Sequence, residues 1–178
     1  MDDELLDLVD RSNTVIGTLN RNEYARMVRD KLGYFRAVDM YIVNSRGQLF
    51  VPLRTAHKTI APNGYDYSVG GHVGKGEDYM TALIREAREE LGLDIDAKDV
   101  EFVATRILDG MRYINQLYIM RSDSTPTINP EDFVSASWRE PMDLLREIKA
   151  GHPAKIGMVE SVELIQAYLD KTAAGAIA

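Results

Sequence analysis

The chain has 178 residues, of which 45% are hydrophobic and 28% charged, an ordinary balance for a globular protein that can bury one full core. Its net charge of −7 argues against a binder of nucleic-acid polymers, because such proteins carry a basic surface. The absence of cysteine excludes disulfides, thiol catalysis and zinc–thiolate sites. We expect a cytoplasmic protein that does not enter membranes, since the acidic start is unlike a signal peptide and no apolar run is long enough to span a bilayer.

The first part of the chain predicts a hairpin and then a less regular stretch. Leu5 to Leu19 contains two short apolar runs around the polar turn at residues 10–13, a pattern typical of two strands. The polar stretch from Asn20 to Leu32 is compatible with a helix or with irregular structure. We therefore treat residues 1–32 as an N-terminal hairpin extension of a single domain that covers residues 1–178.

The rest of the chain mixes strands and helices. Helical spacing of apolar residues is clearest over 78–91, where Gly92 follows as a stop signal. The predicted apolar face of that helix consists of Met80, Leu83, Ile84, Ala87 and Leu91. The other predicted elements are strands at 37–43, 48–53, 67–71, 100–108, 112–120 and 134–138 and helices at 141–149 and 156–169, with a frayed tail from Ala173. Such a mixture predicts an α/β or α+β domain.

Three glutamates share one face of the helix predicted most clearly. Glu86, Glu89 and Glu90 stand at i, i+3 and i+4, and a rotation of about 100° per residue places their carboxylates side by side. Their repulsion costs about 0.2–0.5 kcal/mol per pair on an open helix, and a hard divalent cation would turn this cost into binding. Oxygen ligands favour Mg²⁺ or Mn²⁺ over zinc. Taken alone, however, this acidic run is more typical of a solvated helix face.

Glycines before the helix change that interpretation. They stand at 70, 71, 74 and 76, where they permit tight turns and close approach of a ligand to the backbone, and Glu77 is close enough to reach the same site. The run from 71 to 93 matches the signature box of the Nudix family. The matching positions are Gly71, Glu77, Arg85, Glu86, Ala87, Glu89, Glu90, Gly92 and Leu93. On these residues the chain resembles a Nudix protein.

The resemblance implies a fold, a cofactor and a set of roles. The fold would be an α/β/α sandwich with a mixed central sheet and a loop–helix–loop motif over the box. The cofactor would be Mg²⁺ or Mn²⁺, the substrate a small-molecule diphosphate, and a homodimer is compatible with the family. The metal ligands would be Glu86, Glu89 and Glu90, one of which activates water, and a backbone carbonyl of Gly70 or Gly71. Arg85 would orient the carboxylates.

Outside the box, the chain is similar to the branch of the family that contains isopentenyl-diphosphate isomerase. Arg54 and Lys58 resemble its diphosphate-contacting arginine and lysine, and the resemblance implies that they clamp phosphate oxygens. His72 resembles the histidine of its glycine–histidine pair, and we place His72 and Glu77 with the substrate contacts. The catalytic cysteine of the isomerase matches Gly70, so its carbon chemistry does not carry over.

The sequence favours a Mg²⁺-dependent hydrolase that cleaves a diphosphate linkage in a nucleoside di- or triphosphate, or in a nucleoside diphosphate linked to another moiety. Glu89 and Glu90 would hold metal, and Glu86 would either ligate metal or act as the base. Two alternatives stay open. One is an isomerase-like protein that acts on isoprenoid diphosphates, and the other is a nucleotide-binding module without turnover.

Overall fold

A mixed β-sheet with helices on both faces forms the centre of the molecule, which is known from a computed structural model that describes residues 4–175. The strands are β1 (Leu5–Val9), β2 (Val15–Asn20), β3 (Phe35–Val43), β4 (Leu49–Arg54), β5 (Val69–His72), β6 (Val100–Leu108), β7 (Tyr113–Arg121) and β8 (Phe133–Arg139). The α-helices are α1 (Tyr24–Asp30), α2 (Tyr79–Leu91), α3 (Pro141–Lys149) and α4 (Met158–Gly175). Short 3₁₀ turns cover Arg21–Glu23 and Ala97–Asp99.

Most predicted elements lie within a few residues of their expected bounds, and the C-terminal helix is the main departure. We expected it to end at Leu169, with a frayed tail from Ala173, but α4 continues to Gly175. Residues 176–178 lie outside the described residues. No helix in the described range is long and apolar enough to cross a membrane.

The pairing of β3 brings Gly70 and Gly71 of β5 next to the central strand of the sheet. The main sheet has the order β6-β7-β3-β4-β8, with β5 also paired to β3. β3 and β7 are parallel, and the other pairs are antiparallel. β4 pairs with β3 next to their connecting turn, so the first half of β3 is free to pair with β5. Gly70 therefore lies opposite Asp39, and Gly71 lies opposite Val38.

Strand β3 contributes to the hydrophobic cores on both faces of the sheet, because successive side chains of a strand point to opposite faces. Val38, Met40 and Ile42 of β3 pack in the cluster that includes α2. Tyr41 and Val43 pack in the cluster that includes α3 and α4. These five residues are at most 1% exposed. The result is the expected α/β/α sandwich.

Local signals explain the bounds of α2. Asp78 caps its start by accepting a hydrogen bond from the Thr81 N–H at 2.7 Å. Gly92 ends the helix with a φ of 61°, which favours glycine. The buried face consists of Ala82, Leu83, Ala87 and Leu91. Ile84, which we expected on this face, is only partly buried and lies outside the core cluster, whereas Ala82 is buried in it.

The N-terminal hairpin supports the loop that leads into α2. β1 and β2 form a separate two-stranded sheet. The Lys75 N–H donates to the Leu5 carbonyl at 2.9 Å, and the Gly76 N–H donates to the Asp7 carboxylate at 3.0 Å. The hairpin is therefore packed against the glycine-rich segment that precedes the glutamates.

Candidate functional site

A cavity of about 380 Å³ opens where β5 meets the C-terminal half of α2. Most of the residues that the sequence singled out line it: Arg54, Lys58, Gly70, Gly71, His72, Glu86, Glu89 and Glu90. Arg85 and Glu77 are not among the lining residues. Eight of the ten predicted site residues therefore line this cavity, and the other two, Arg85 and Glu77, do not.

One side of the cavity, which we term the acidic wall, consists of Glu86, Glu89 and Glu90 on α2. Glu86 is 13% exposed and Glu89 is 58% exposed. Glu90 accepts a hydrogen bond from the Gly70 N–H at 2.9 Å. Burial raises the pKa of Glu86 and of Glu90, and the nearby charge of Asp66 raises the pKa of Glu90 further. The acidic wall is therefore an unfavourable place for negative charge without a cation.

Charged side chains pack so closely against the backbone of Gly70 and Gly71 in β5 that a side chain at either position would collide with them. A Cβ added at Gly71 would lie 2.0 Å from Cδ of Glu86. A Cβ added at Gly70 would lie 2.9 Å from Oδ1 of Asp39 and 3.2 Å from Nζ of Lys155. Only glycine lets the backbone pass here without displacing a carboxylate.

Arg85 binds the acidic wall to the loop before α2. Its guanidinium donates to both carboxylate oxygens of Glu77, at 3.1 and 3.0 Å, and to the His72 carbonyl at 2.9 Å. It also donates to Glu86 at 2.8 Å and lies 3.5 Å from a carboxylate oxygen of Glu89. Hydrogen bonding to Arg85 lowers the pKa of Glu77. This geometry is what an orienting arginine requires, and it places Glu77 next to Arg85 rather than in the cavity.

A second group of lining residues, which we term the cationic wall, consists of Arg54, Lys58 and Lys155. Each cation has a carboxylate partner. Arg54 and Lys155 both contact Asp66, which is 1% exposed, and Lys58 contacts Asp132. Arg54 and Lys58 thus line the same cavity, and ion pairs hold them in position.

Sequence reasoning missed several charged residues of the site, among them Arg21, which lines the cavity. Asp66 and Lys155 are described above, and Asp39 on β3 lines the cavity beside Gly70. Burial lowers the pKa of Lys155, but the charges of Asp66, Asp39 and Glu90 outweigh this effect and raise it, so the side chain stays cationic. The one available signal for Lys155 was its place in a loop between Gly151 and Gly157.

His72 is a neutral hydrogen-bonding group in this structure. Its Nε2 lies 2.9 Å from the Tyr113 hydroxyl. Burial, with a smaller effect from neighbouring cations, lowers the pKa of His72 to about 3. At neutral pH the imidazole therefore offers a hydrogen bond to a ligand but no positive charge.

The carboxylate oxygens of the acidic wall are the type of ligand that a hard divalent cation prefers. Among residues 4–175, no three histidine or acidic side chains are arranged as they stand to hold a metal ion. All three carboxylates of the acidic wall nevertheless line one cavity, and those of Glu86 and Glu90 each have one oxygen engaged, by Arg85 and by the Gly70 N–H. A carboxylate has two oxygens, so each keeps one for a cation, and Mg²⁺ and Mn²⁺ prefer oxygen ligands.

Known proteins are similar to this chain in sequence and in fold. A family model described as the NUDIX domain matches residues 33–161. A protein from Deinococcus radiodurans named Nudix hydrolase is 40% identical over 163 residues, which cover 90% of this chain and 92% of that protein. A crystal structure of a Deinococcus radiodurans protein matches with a TM-score of 0.80 at 38% identity and covers 90% of this chain and 98% of its own. An isopentenyl-diphosphate Delta-isomerase from Escherichia coli is 30% identical over 156 residues, 84% of each chain.

Proposed function

The chain belongs to the Nudix family of hydrolases, and from this premise we propose that it is a Mg²⁺- or Mn²⁺-dependent hydrolase that cleaves a diphosphate linkage. The substrate would be a nucleoside di- or triphosphate, or a nucleoside diphosphate joined to another group. The observation that carries the proposal is that an acidic wall and a cationic wall face one cavity. The single domain over residues 1–178, the cytoplasmic location and the homodimer stay predictions.

The two walls suit a polyanionic substrate together with a metal ion. Arg54 and Lys58 attract phosphate oxygens, Arg through a planar fork and Lys as a point charge. The acidic wall alone would repel the same phosphates. A cation held by Glu86, Glu89 and Glu90 would remove this repulsion, and bound metal supplies charge neutralisation and an acidified water in such sites.

The remaining residues position these groups. Arg85 holds Glu86 and contacts Glu89, so it fixes which way the carboxylates lean. Glu77 takes up two nitrogens of Arg85, and we assign it to positioning Arg85 rather than to substrate contact. The Gly70 N–H orients Glu90. His72 lines the cavity and offers a hydrogen bond without a positive charge.

Two observations weigh against the isomerase alternative. The chain has no cysteine, which that carbon chemistry uses according to the family resemblance. The matching position, Gly70, has Asp39 within 2.9 Å of where a Cβ would lie, so a cysteine there would require its neighbours to move. The module without turnover is less well supported, because all three glutamates of the acidic wall line the cavity.

A hydrolysis screen with and without Mg²⁺ or Mn²⁺ tests the proposal. It would cover nucleoside di- and triphosphates, sugar nucleotides, dinucleotides and isopentenyl diphosphate, with detection of phosphate, pyrophosphate and the allylic isomer. We expect metal-dependent release of phosphate or pyrophosphate from at least one nucleotide. Clean formation of the allylic isomer, or binding of a nucleotide without release across the screen, would contradict the proposal.

Glu90→Gln tests whether the carboxylate of Glu90 is needed for hydrolysis. We expect at least about a 10²-fold loss of turnover, because the amide is a poor metal ligand and cannot act as a base. Folding should be kept, since the amide oxygen can still accept from the Gly70 N–H and since burial already disfavours the charge of Glu90. Glu163→Gln, on α4 outside the cavity, is the control. Near wild-type turnover of Glu90→Gln would show that the site is assigned wrongly.

A further inference from the structure

Lys155 lies in the loop that joins α3 to α4, and the loop backbone is held in place. Gly151 and Gly157 adopt positive φ angles of 104° and 87°, which favour glycine. Between them, the Lys155 N–H donates to the Tyr65 carbonyl at 2.9 Å, and the Tyr65 N–H donates to the Pro153 carbonyl at 2.9 Å. These hydrogen bonds fix the backbone of Lys155, and with it the position from which the side chain extends.

The side chain of Lys155 enters the cavity and is 25% exposed. Its ammonium lies 3.3 Å from Oδ1 of Asp66 and 5.6 Å from the centroid of the Tyr67 ring. A lysine ammonium has three N–H donors. The described part of the chain engages at most one of them, through Asp66. Two donors are therefore left to a ligand in the cavity.

Asp66 couples Lys155 to Arg54. Its Oδ2 accepts from Arg54, and its Oδ1 accepts from the Tyr67 N–H at 2.8 Å and lies next to Lys155. Asp66 is 1% exposed and so does not face a ligand itself. Arg54, Lys155 and Asp66 together carry a net charge of +1, and the carboxylates of Asp39 and Glu90 lie near Lys155. Asp66 already has Arg54 and a backbone N–H, so it does not need Lys155 as a counter-ion.

Lys155 is also the residue of the cationic wall that lies next to Gly70, which contacts the acidic wall. A Cβ at Gly70 would lie 3.2 Å from its Nζ, and the N–H of Gly70 is the donor to Glu90. A phosphate bound to Lys155 would therefore be the one nearest to the acidic wall. Lys58, in contrast, pairs with Asp132.

We propose that Lys155 and Arg54, held side by side by Asp66, form a diphosphate-binding pair in which Lys155 contacts the phosphate group nearest to the acidic wall. This inference rests on the proposed function, because it names a further residue of the same site. It assigns to Asp66 the part of a positioning residue and to Lys155 that of a direct substrate contact.

The test is calorimetric titration of inorganic pyrophosphate into the metal-free protein in the presence of EDTA. We expect Lys155→Met to weaken binding by about 10- to 100-fold, the range for losing a hydrogen bond to a charged group. Lys155→Gln, which keeps a donor but not the charge, should fall between Lys155→Met and wild type. The matched control is Lys98→Met, because Lys98 is 75% exposed and does not line the cavity.

The outcomes separate this inference from the proposed function. Equal affinity of wild type and Lys155→Met, or no pyrophosphate binding by wild type, would overturn the diphosphate-binding pair and leave the hydrolysis screen unaffected. If neither Lys155→Met nor Lys155→Gln folds, the ammonium is a structural counter-ion and the inference is wrong. Weakened pyrophosphate binding by Lys155→Met together with a screen that shows no hydrolysis would keep the pair and overturn the hydrolase.

Discussion

The acidic wall and the cationic wall face the same cavity but are built in opposite ways. The acidic wall comes from consecutive turns of one helix, and its three carboxylates repel each other and depend on Arg85. The cationic wall comes from residues 54, 58 and 155, and each cation already has a carboxylate partner. The acidic wall would therefore be stabilised by a bound cation, whereas the charges of the cationic wall are already partly neutralised by Asp66 and Asp132.

The largest expected effect comes from pushing the acidic wall out of place. Gly71→Ala would put a Cβ 2.0 Å from Cδ of Glu86 and force that carboxylate to move. We expect turnover to fall by about 10²-fold or more, since displacements of about 1 Å cost this much in catalytic sites. Gly110→Ala is the control, because no atom lies within 4 Å of a Cβ there. Steady-state kinetics on the substrate found in the screen give the answer, and equal losses in both variants would contradict the account of Gly71.

The second effect tests whether the acidic wall depends on the geometry of Arg85 or only on its charge. Arg85→Lys keeps the charge but loses the fork that holds Glu77, Glu86 and the His72 carbonyl. We expect a loss of about 10- to 100-fold in kcat/KM, the range for removing a partner that orients metal ligands.

Arg88→Lys is the control for this change, because Arg88 is 66% exposed and pairs with Asp94 on the surface. If Arg85→Lys keeps wild-type kcat/KM, the guanidinium fork is not what orders the acidic wall.

A third, smaller effect tests the cationic wall. Arg54→Lys removes the geometry that lets Arg54 contact Asp66 and donate to the Ile60 carbonyl at 2.8 Å. We expect KM to rise about tenfold with a smaller change in kcat, because one charge-assisted hydrogen bond to phosphate is lost. Arg46→Lys, in the exposed turn after β3, should leave KM unchanged. A fall in kcat without a rise in KM would place Arg54 with the reacting groups instead.

The smallest effect concerns stability and its dependence on pH. Glu77→Gln removes the charged partner of Arg85 and should lower the free energy of unfolding at pH 7 by about 1–3 kcal/mol. The folded-state pKa of Glu77 is lowered below its usual value of 4.5, chiefly by the hydrogen bond to Arg85. Its stabilisation is therefore present above the unfolded pKa and is lost as pH falls through the folded pKa.

Urea denaturation at several pH values between 7 and 3 measures this effect. The difference in unfolding free energy between wild type and Glu77→Gln should shrink as pH falls below 4.5. Glu131→Gln, an exposed loop change, should show a small and constant difference. A constant large difference for Glu77→Gln would mean that Glu77 acts through packing rather than through its charge.

Local chemistry accounts for what the sequence predicted well. Asp78 and Gly92 bound α2 because a side-chain cap and a positive φ act within a few residues. The glutamate spacing placed three carboxylates on one side of the same helix, and the structure has all three lining the cavity. The same periodicity was less exact for packing, since the core takes Ala82 rather than Ile84.

The sequence by itself determined the family, the order of strands and helices and the acidic wall, because each depends on residues that are neighbours along the chain. Only the tertiary structure decided that Lys155 joins Arg54 and Lys58 in the cationic wall. Asp66 joins Arg54 to Lys155, which lies 89 residues beyond Asp66 along the chain and is brought close by the packing of its loop against Tyr65. No spacing in the sequence encodes such a contact. It also decided why Gly70 and Gly71 are glycines, since β5 must pair with β3 before Asp39, Lys155 and Glu86 come within reach of them.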